Sequence, residues 1–506
     1  MDDRRCRGFI GGGAVRFSGT VVWLARRTLA LLRRVEVALV IVVVTAAVVA
    51  EGPDFSPATA ATLGRHDPTW TASETTLPAN ASSGGLDGIL CYARGSCIAG
   101  GGYMDFNGNE QGLIETLSEG AWTPIEAPFP ANAEATNQGV GIRDVFCLTQ
   151  KTCEAVGEYR DSNGNGQGLI ETLSEGVWVP IEAPLPANAS ATQQAAAVDG
   201  ITCRSGGVCI GWGTYEDTNG NTQGLIETLS GGTWTAAEAP LPANASSPQF
   251  AVLRQLVCPA TGLCVAFGQY VDPSSTFQPF FETLSGGTWT PTEAPLPANT
   301  QTSPYSALNG LSCAKSGNCL SAGVYTDIND NVEGFTDSRS GGVWTASEFP
   351  LPPNTMGIAF DGMACSTQRF CVAVGSSSET DGNFQSFIAT RSATSWTAMP
   401  APLPVDAASD PEGALNLINC PTKQFCLAFG SYVQTSGSWQ AVMETMSGGT
   451  WKPSVPAVPI NASSNPRTTI LTVSCADAQF CVAIGAYDDV SGDSAGLIET
   501  LSHGKD

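Results

Sequence analysis

Residues 86–125 read LDGILCYARGSCIAGGGYMDFNGNEQGLIETLSEGAWTPI, and this one stretch decides the fold. Residues 86–91 alternate apolar with polar or small side chains, the period-two pattern of a strand with one buried face. After a short turn, residues 97–103 form a second such run. Asn107-Gly108 is a strong hairpin signal, because the tight turn it favours needs positive φ at its centre. Residues 112–117 make a third strand, Ser118-Glu119-Gly120 turns the chain again, and residues 121–125 around Trp122 make a fourth.

The unit then repeats. Tryptophan recurs as Trp70, Trp122, Trp178, Trp234, Trp289, Trp344, Trp396 and Trp451. Cysteines recur as eight pairs: Cys91 with Cys97, Cys147 with Cys153, Cys203 with Cys209, Cys258 with Cys264, Cys313 with Cys319, Cys365 with Cys371, Cys420 with Cys426, and Cys475 with Cys481. Cys6 alone of the 17 cysteines falls outside the series. Four short strands in a period of about 55 residues is the arithmetic of a propeller blade. Leu-Pro-Ala-Asn segments such as residues 185–188 lead from one unit to the next, with proline ending the pairing.

The two ends complement each other. The last unit stops after its third strand, and the Trp70 strand precedes any cysteine pair. Pairing the two closes a ring of eight blades and removes the edges an open array would expose. The expectation is an all-β, eight-bladed β-propeller over residues 66–506, closed by an N-terminal outer strand.

Composition supports this. Glycine (56) and proline (32) suit many tight turns, and charged residues are only 14%, too few for a coiled coil. Residues 1–50 carry eight arginines against Asp2, Asp3 and Glu36, yet the whole chain has a net charge of −24, so the remainder is more acidic still. Such a body repels phosphate backbones, so nucleic acid is not an expected partner. The apolar run 37–50 is short for a membrane span and suits the core of a secretory signal. Residues 1–50 therefore read as a basic leader with a signal peptide or signal anchor, and residues 51–65 as a linker. The expected location is secreted or cell-surface, with residues 35–50 as the membrane anchor if the signal is not cleaved; the membrane is contacted only there.

The cysteine spacing fits disulfides within each unit better than zinc, which wants four N or S ligands, and the chain has only two histidines, His66 and His503. The second strands read C-x-A-x-G-x-Y in most units. Their small face invites close packing by a bulky residue of the next blade, with the repeated Trp as candidate, in a core role rather than as a sugar-stacking ladder.

Two sets of residues are candidate sites. The position four before each first cysteine is Asp87, Arg143, Asp199, Arg254, Asn309, Asp361, Asn416 and Leu471. On innermost strands these would line the central channel. The second set is four D-x-N-x-N loops: Asp105, Asn107 and Asn109; Asp161, Asn163 and Asn165; Asp217, Asn219 and Asn221; Asp327, Asn329 and Asn331. Oxygen ligands on alternate residues can converge on calcium, but Glu110 and Thr116 stand where a full calcium loop needs Gly and Glu, and turn chemistry alone accounts for the asparagines. Calcium is the only cofactor in question. A third-strand Glu recurs at Glu115, Glu171, Glu227, Glu282, Glu444 and Glu499, with Asp337 and Thr390 expected in its place in blades five and six. One carboxylate per blade places them too far apart to work as a hydrolytic pair.

The units resemble a repeat of secreted actinobacterial proteins, S-C-x5-C-x-A-x-G followed by an L-x-E strand and a G-x-x-W turn. Residues 312–323 and 474–485 match best. The resemblance covers all eight units and implies a β-propeller of sialidase-like architecture. The aspartate of the sialidase turn is missing from Ser285-Gly286-Gly287-Thr288-Trp289, and neither an arginine triad nor a Tyr–Glu nucleophile pair stands out. No catalytic residue is assigned. The expected function is non-catalytic binding or scaffolding by a monomer, with an extracellular protein or glycan as ligand. The alternative is a polymer- or glycan-acting hydrolase.

Overall fold

The computed structural model describes residues 69–502, apart from 137, 138, 205, 248 and 353. The described residues form 32 strands, β1 to β32, in eight four-stranded antiparallel sheets. Blade one is β2 (Ala81–Ala93), β3 (Ser96–Asp105), β4 (Glu110–Ser118) and β5 (Ala121–Glu126), in that order across the sheet. The first strands of successive blades touch one another around an unbroken ring, which includes β2 against β30 (Thr469–Asp477). They are therefore the inner strands, and the fold is an eight-bladed β-propeller. β1 (Thr69–Glu74) lies antiparallel along β32 (Ser494–Ser502), as the outer strand of the eighth sheet.

Each cysteine pair is a disulfide joining the first two strands of one blade beside their hairpin turn. Eight disulfides are the mark of an oxidising compartment. Among the described residues no helix is long and apolar enough to cross a membrane. The leader, the linker, residues 35–50, Cys6 and both histidines lie outside the described residues.

The cores lie between blades. Cys97, Ala99, Leu117 and the half-buried Trp122 of blade one pack on Phe480, Val482, Ile484 and Ile498 of blade eight. Trp178 of blade two packs in the same way among residues of blade one, and Trp344 stacks on Phe281 of blade four at 3.6 Å. The expected direction of packing is thus corrected. Register pairs Cys97 with Leu117 and Leu117 with Trp122, so each Trp shares a face with its own blade's cysteine and covers the preceding blade. The Trp series is core, not a ladder on the surface.

The repeated glycine of the second strand has a steric cause. A Cβ on Gly101, Gly157, Gly213, Gly268, Gly323, Gly375, Gly430 or Gly485 would lie 1.8–2.2 Å from a carbonyl oxygen of the first strand. The inner strand comes this close because it bulges. In every blade the register skips one residue after the partner of that glycine, as between Leu86 and Gly88 and between Ile142 and Asp144. A bulge admits one unpaired residue and re-aims its side chain.

Candidate functional site

The skipped residues are Asp87, Arg143, Asp199, Arg254, Asn309, Asp361, Asn416 and Leu471, the whole set expected to line the channel. Half-exposed or exposed, they sit on inner strands. Through the first four blades they interact side by side. Arg143 is ion-paired with Asp199 of the next blade and, at 2.7 Å, with Glu158 of its own second strand. Asp87 feels the Arg143 charge, and Asp199 feels that of Arg254. Arg254 donates to Gln269 at 3.4 Å, and Asn309 donates to the Phe360 carbonyl of blade six.

The rest of the ring differs. Asp361 and Asn416 have no hydrogen-bond or ion-pair partner for their side chains among the described residues, and Leu471 is 42% exposed. Burial pushes the Asp361 carboxyl up to about 7. Next to the bulge in blade two, burial likewise raises Asp144 to about 7, although its carboxylate accepts from the amides of Val145 at 2.9 Å and Ile201 at 3.0 Å. Asp144 thereby ties two blades together.

The D-x-N-x-N loops sit between second and third strands, at the end of the propeller opposite the disulfides. In each, one aspartate oxygen accepts two backbone amides: Asn107 and Asn109 on Asp105, both at 2.8 Å, with the same pattern on Asp161, Asp217 and Asp327. The other oxygen takes the side-chain amide of Asn109, Asn165, Asn221 or Asn331. Despite partial burial, these bonds hold Asp161 and Asp217 down at about 2. The carboxylates are filled by donors from their own turns. The register also assigns blade six differently: Ala389 stands opposite Ala373, in the place of the repeated Glu, and Thr390 is the next residue along.

Two constellations went unread in the sequence. The first is the environment of the third-strand carboxylates. Glu115, Glu171, Glu227, Glu282, Asp337, Glu444 and Glu499 are all 0% exposed, and neither oxygen of any of them has a well-formed hydrogen bond. Only Glu115, near Thr76, and Glu499, near the Ala457 amide, have a donor close by. Each carboxylate lies in an interblade core, opposite a small second-strand residue such as Ala99, Ala155 or Gly211. Burial lifts Glu171 to about 9 and the other six to about 8.

The second constellation is a Tyr–Asn–Glu triangle. Tyr159 OH lies 2.6 Å from a Glu182 oxygen and 3.0 Å from the Asn132 side-chain oxygen, with one proton to share between them, and Asn132 donates to Glu182 at 2.6 Å. Tyr215, Asn188 and Glu238 repeat it, and Tyr487, Asn461 and Glu74 do so across the chain's two ends. Tyr–Glu pairs therefore exist, although none could be assigned from the sequence. Their phenols are buried and raised by burial and by the neighbouring carboxylate, the opposite of an activated nucleophile. They pin each crossing segment to its blade. The x-Pro-x-Asn crossing and the Tyr closing C-x-A-x-G-x-Y were the available signals.

These features define an eight-bladed, disulfide-braced propeller with mostly polar side chains at the bulges of its inner strands. No protein-family model and no curated protein matches the sequence. Among solved structures, the chain is similar to the WD40 domain of SCAP from fission yeast at 8% identity and a TM-score of 0.40, over 86% of this chain and 98% of that one. It is also similar to the BP39L lectin from Burkholderia pseudomallei, at 13% identity and a TM-score of 0.38 over 74% and 100%. A third is a polysaccharide lyase, an ulvan lyase of family PL25, at 11% identity and a TM-score of 0.42 over 74% and 93%.

Proposed function

We propose that the protein is a non-catalytic recognition module that works outside the cytoplasm and takes its ligand at the channel mouth beside blades six to eight. The carrying observation is the break in the bulge ring. Where these side chains interact with one another through blades one to four and Asn309 of blade five is held by the Phe360 carbonyl, Asp361 and Asn416 offer free polar groups beside the exposed apolar surface of Leu471. A few convergent polar groups beside apolar surface is what a specific ligand site requires. Hydrolysis is the weaker reading, because the buried carboxylates are parcelled out one per blade and the phenols of the Tyr–Glu pairs are buried and raised.

A glycan and protein-ligand array probed with the purified protein tests this. A captured ligand is expected to lose about tenfold or more of its affinity with Asp361→Asn or Asn416→Ala. Release of fragments from a captured polymer would favour the hydrolase instead.

The D-x-N-x-N loops, on this reading, are turns first. Calorimetry is expected to show at most millimolar-class calcium binding. Asp161→Ala should destabilise the fold by about 1 to 3 kcal/mol whether or not calcium is present, through loss of its turn hydrogen bonds. Tight calcium binding that vanishes in this variant would make the loops metal sites.

A further inference from the structure

The disulfide end of blades five to seven breaks the repeat in a consistent way. The third-strand residue that is Leu117, Leu173, Leu229, Leu284, Met446 and Leu501 elsewhere is Arg339 in blade five and Arg391 in blade six. Each arginine stands opposite the disulfide cysteine of its second strand, Cys319 or Cys371, and opposite the Trp of its outer strand. Exchanging an aliphatic side chain for a guanidinium beside a core costs desolvation, and burial lowers the basicity of Arg391. The hairpin turns return little. Arg339 donates to the Gly317 carbonyl at 2.7 Å and Arg391 to the Gln368 carbonyl at 2.8 Å, while the buried Nε of Arg339 has no partner.

Further cations join them. Arg369 and Lys423, from the turns of blades six and seven, line a cleft of about 660 Å³ together with Gln368, Phe370 and Ser392. Neither has an acidic partner among the described residues. The turns of blades five to seven on this end, residues 314–318, 340–343, 366–370, 392–395, 421–425 and 447–450, contain no Asp or Glu. On the same end Arg94 of blade one is matched by Asp477 of blade eight. The D-x-N-x-N turns lie at the opposite end.

We propose that this cleft and its arginine-rich surround bind an acidic polysaccharide through the carboxylates of its sugar units. Guanidinium groups pair with carboxylates in a planar fork, and the hydroxyl and amide groups of Ser392 and Gln368 between the cations suit sugar hydroxyls. Phe370 is the one aromatic ring in the cleft, so there is no platform on which successive nucleic-acid bases would stack. This site is separate from the channel proposed above, and either can fail without the other.

The test uses the full chain and four probes: polygalacturonate, dextran sulfate, neutral dextran and oligo-dT. Polygalacturonate is expected to bind, neutral dextran not to bind, and affinity to fall as NaCl is raised to about 0.5 M. Arg369→Ala with Lys423→Ala should weaken binding by about tenfold or more. The melting temperature should not change, because neither side chain holds a protein partner. Lys151→Ala, a cation removed from the same end in blade two, should leave affinity within about twofold. If polygalacturonate does not bind, or if Lys151→Ala weakens binding as much as the double variant, the proposal falls. Dextran sulfate binding alone would make the ligand a sulfated polymer, and oligo-dT binding of equal strength a nucleic acid; either result overturns the carboxylate assignment.

Discussion

The melting temperature should fall steadily as the pH is raised from about 5 to about 9, the reverse of a protein held by ionised carboxylates. Seven buried carboxyls, Glu115, Glu171, Glu227, Glu282, Asp337, Glu444 and Glu499, titrate near 8 or 9 in the folded chain. In the unfolded chain they titrate at about 4. The folded state therefore keeps protons that the unfolded state releases. The stabilisation is complete below about pH 4 and is lost progressively as the pH rises through the folded pKa. Each tenfold rise in a carboxyl's proton affinity on folding is worth about 1.4 kcal/mol between the two protonation states, so ionising these carboxyls at high pH weakens the fold. Below about pH 4 the trend reverses, because Asp161 and Asp217, held near 2 by their turns, begin to lose their stabilising charge. Denaturation at pH 5, 7 and 9 measures the slope. Glu171→Gln and Glu227→Gln should each flatten it and raise stability at pH 9. A level profile in the parent protein, or an unchanged slope in both variants, would mean that these carboxyls are solvated or paired.

Removal of residues 69–75 should lower the melting temperature by about 10 °C or more and promote aggregation. The deletion strips the whole outer strand from β32. It removes the edge-on contact of Trp70 with Phe429 at 6.0 Å. It also breaks the Glu74 bonds to Asn461 and Tyr487 and the Thr75 amide bond to Gly496 at 2.9 Å. An unpaired strand flanked by the apolar face of blade seven is then open to other molecules. Differential scanning calorimetry and light scattering of the shortened chain would decide. A melting curve identical to the parent's would mean that β1 contributes nothing to the ring.

Much of the architecture was legible because it repeats. Four strands per unit, the cysteine pairs and the complementary ends follow from local alternation and counting, and eightfold repetition averages out the ambiguity of any single strand. The skipped polar position was also visible, since Asp87, Arg143, Asp199 and their counterparts interrupt otherwise apolar strands. The bulge that aims them was not visible. It depends on how closely two strands approach, which shows in sequence only indirectly, as the glycine of C-x-A-x-G. The place of the repeated Glu in blade six was legible too: the seven-residue step from Glu115 to Trp122 puts it at Ala389 before Trp396, where the register also has it, and not at Thr390.

The sequence by itself determined the all-β class, the eight blades, the pairing of each cysteine with its neighbour and the acidic balance of the body, because all of these are set by short-range pattern and composition. Tertiary structure decided which face each repeated residue occupies. It put the carboxylates in dry interblade cores, sealed the tyrosines into triangles with Asn and Glu, and turned each Trp toward the preceding blade. It also brought Arg369, Arg391 and Lys423, from two blades, to one end of the ring. Those outcomes depend on contacts between residues about 25 to 55 positions apart, where burial and charge pairing are settled by neighbours that no local pattern specifies.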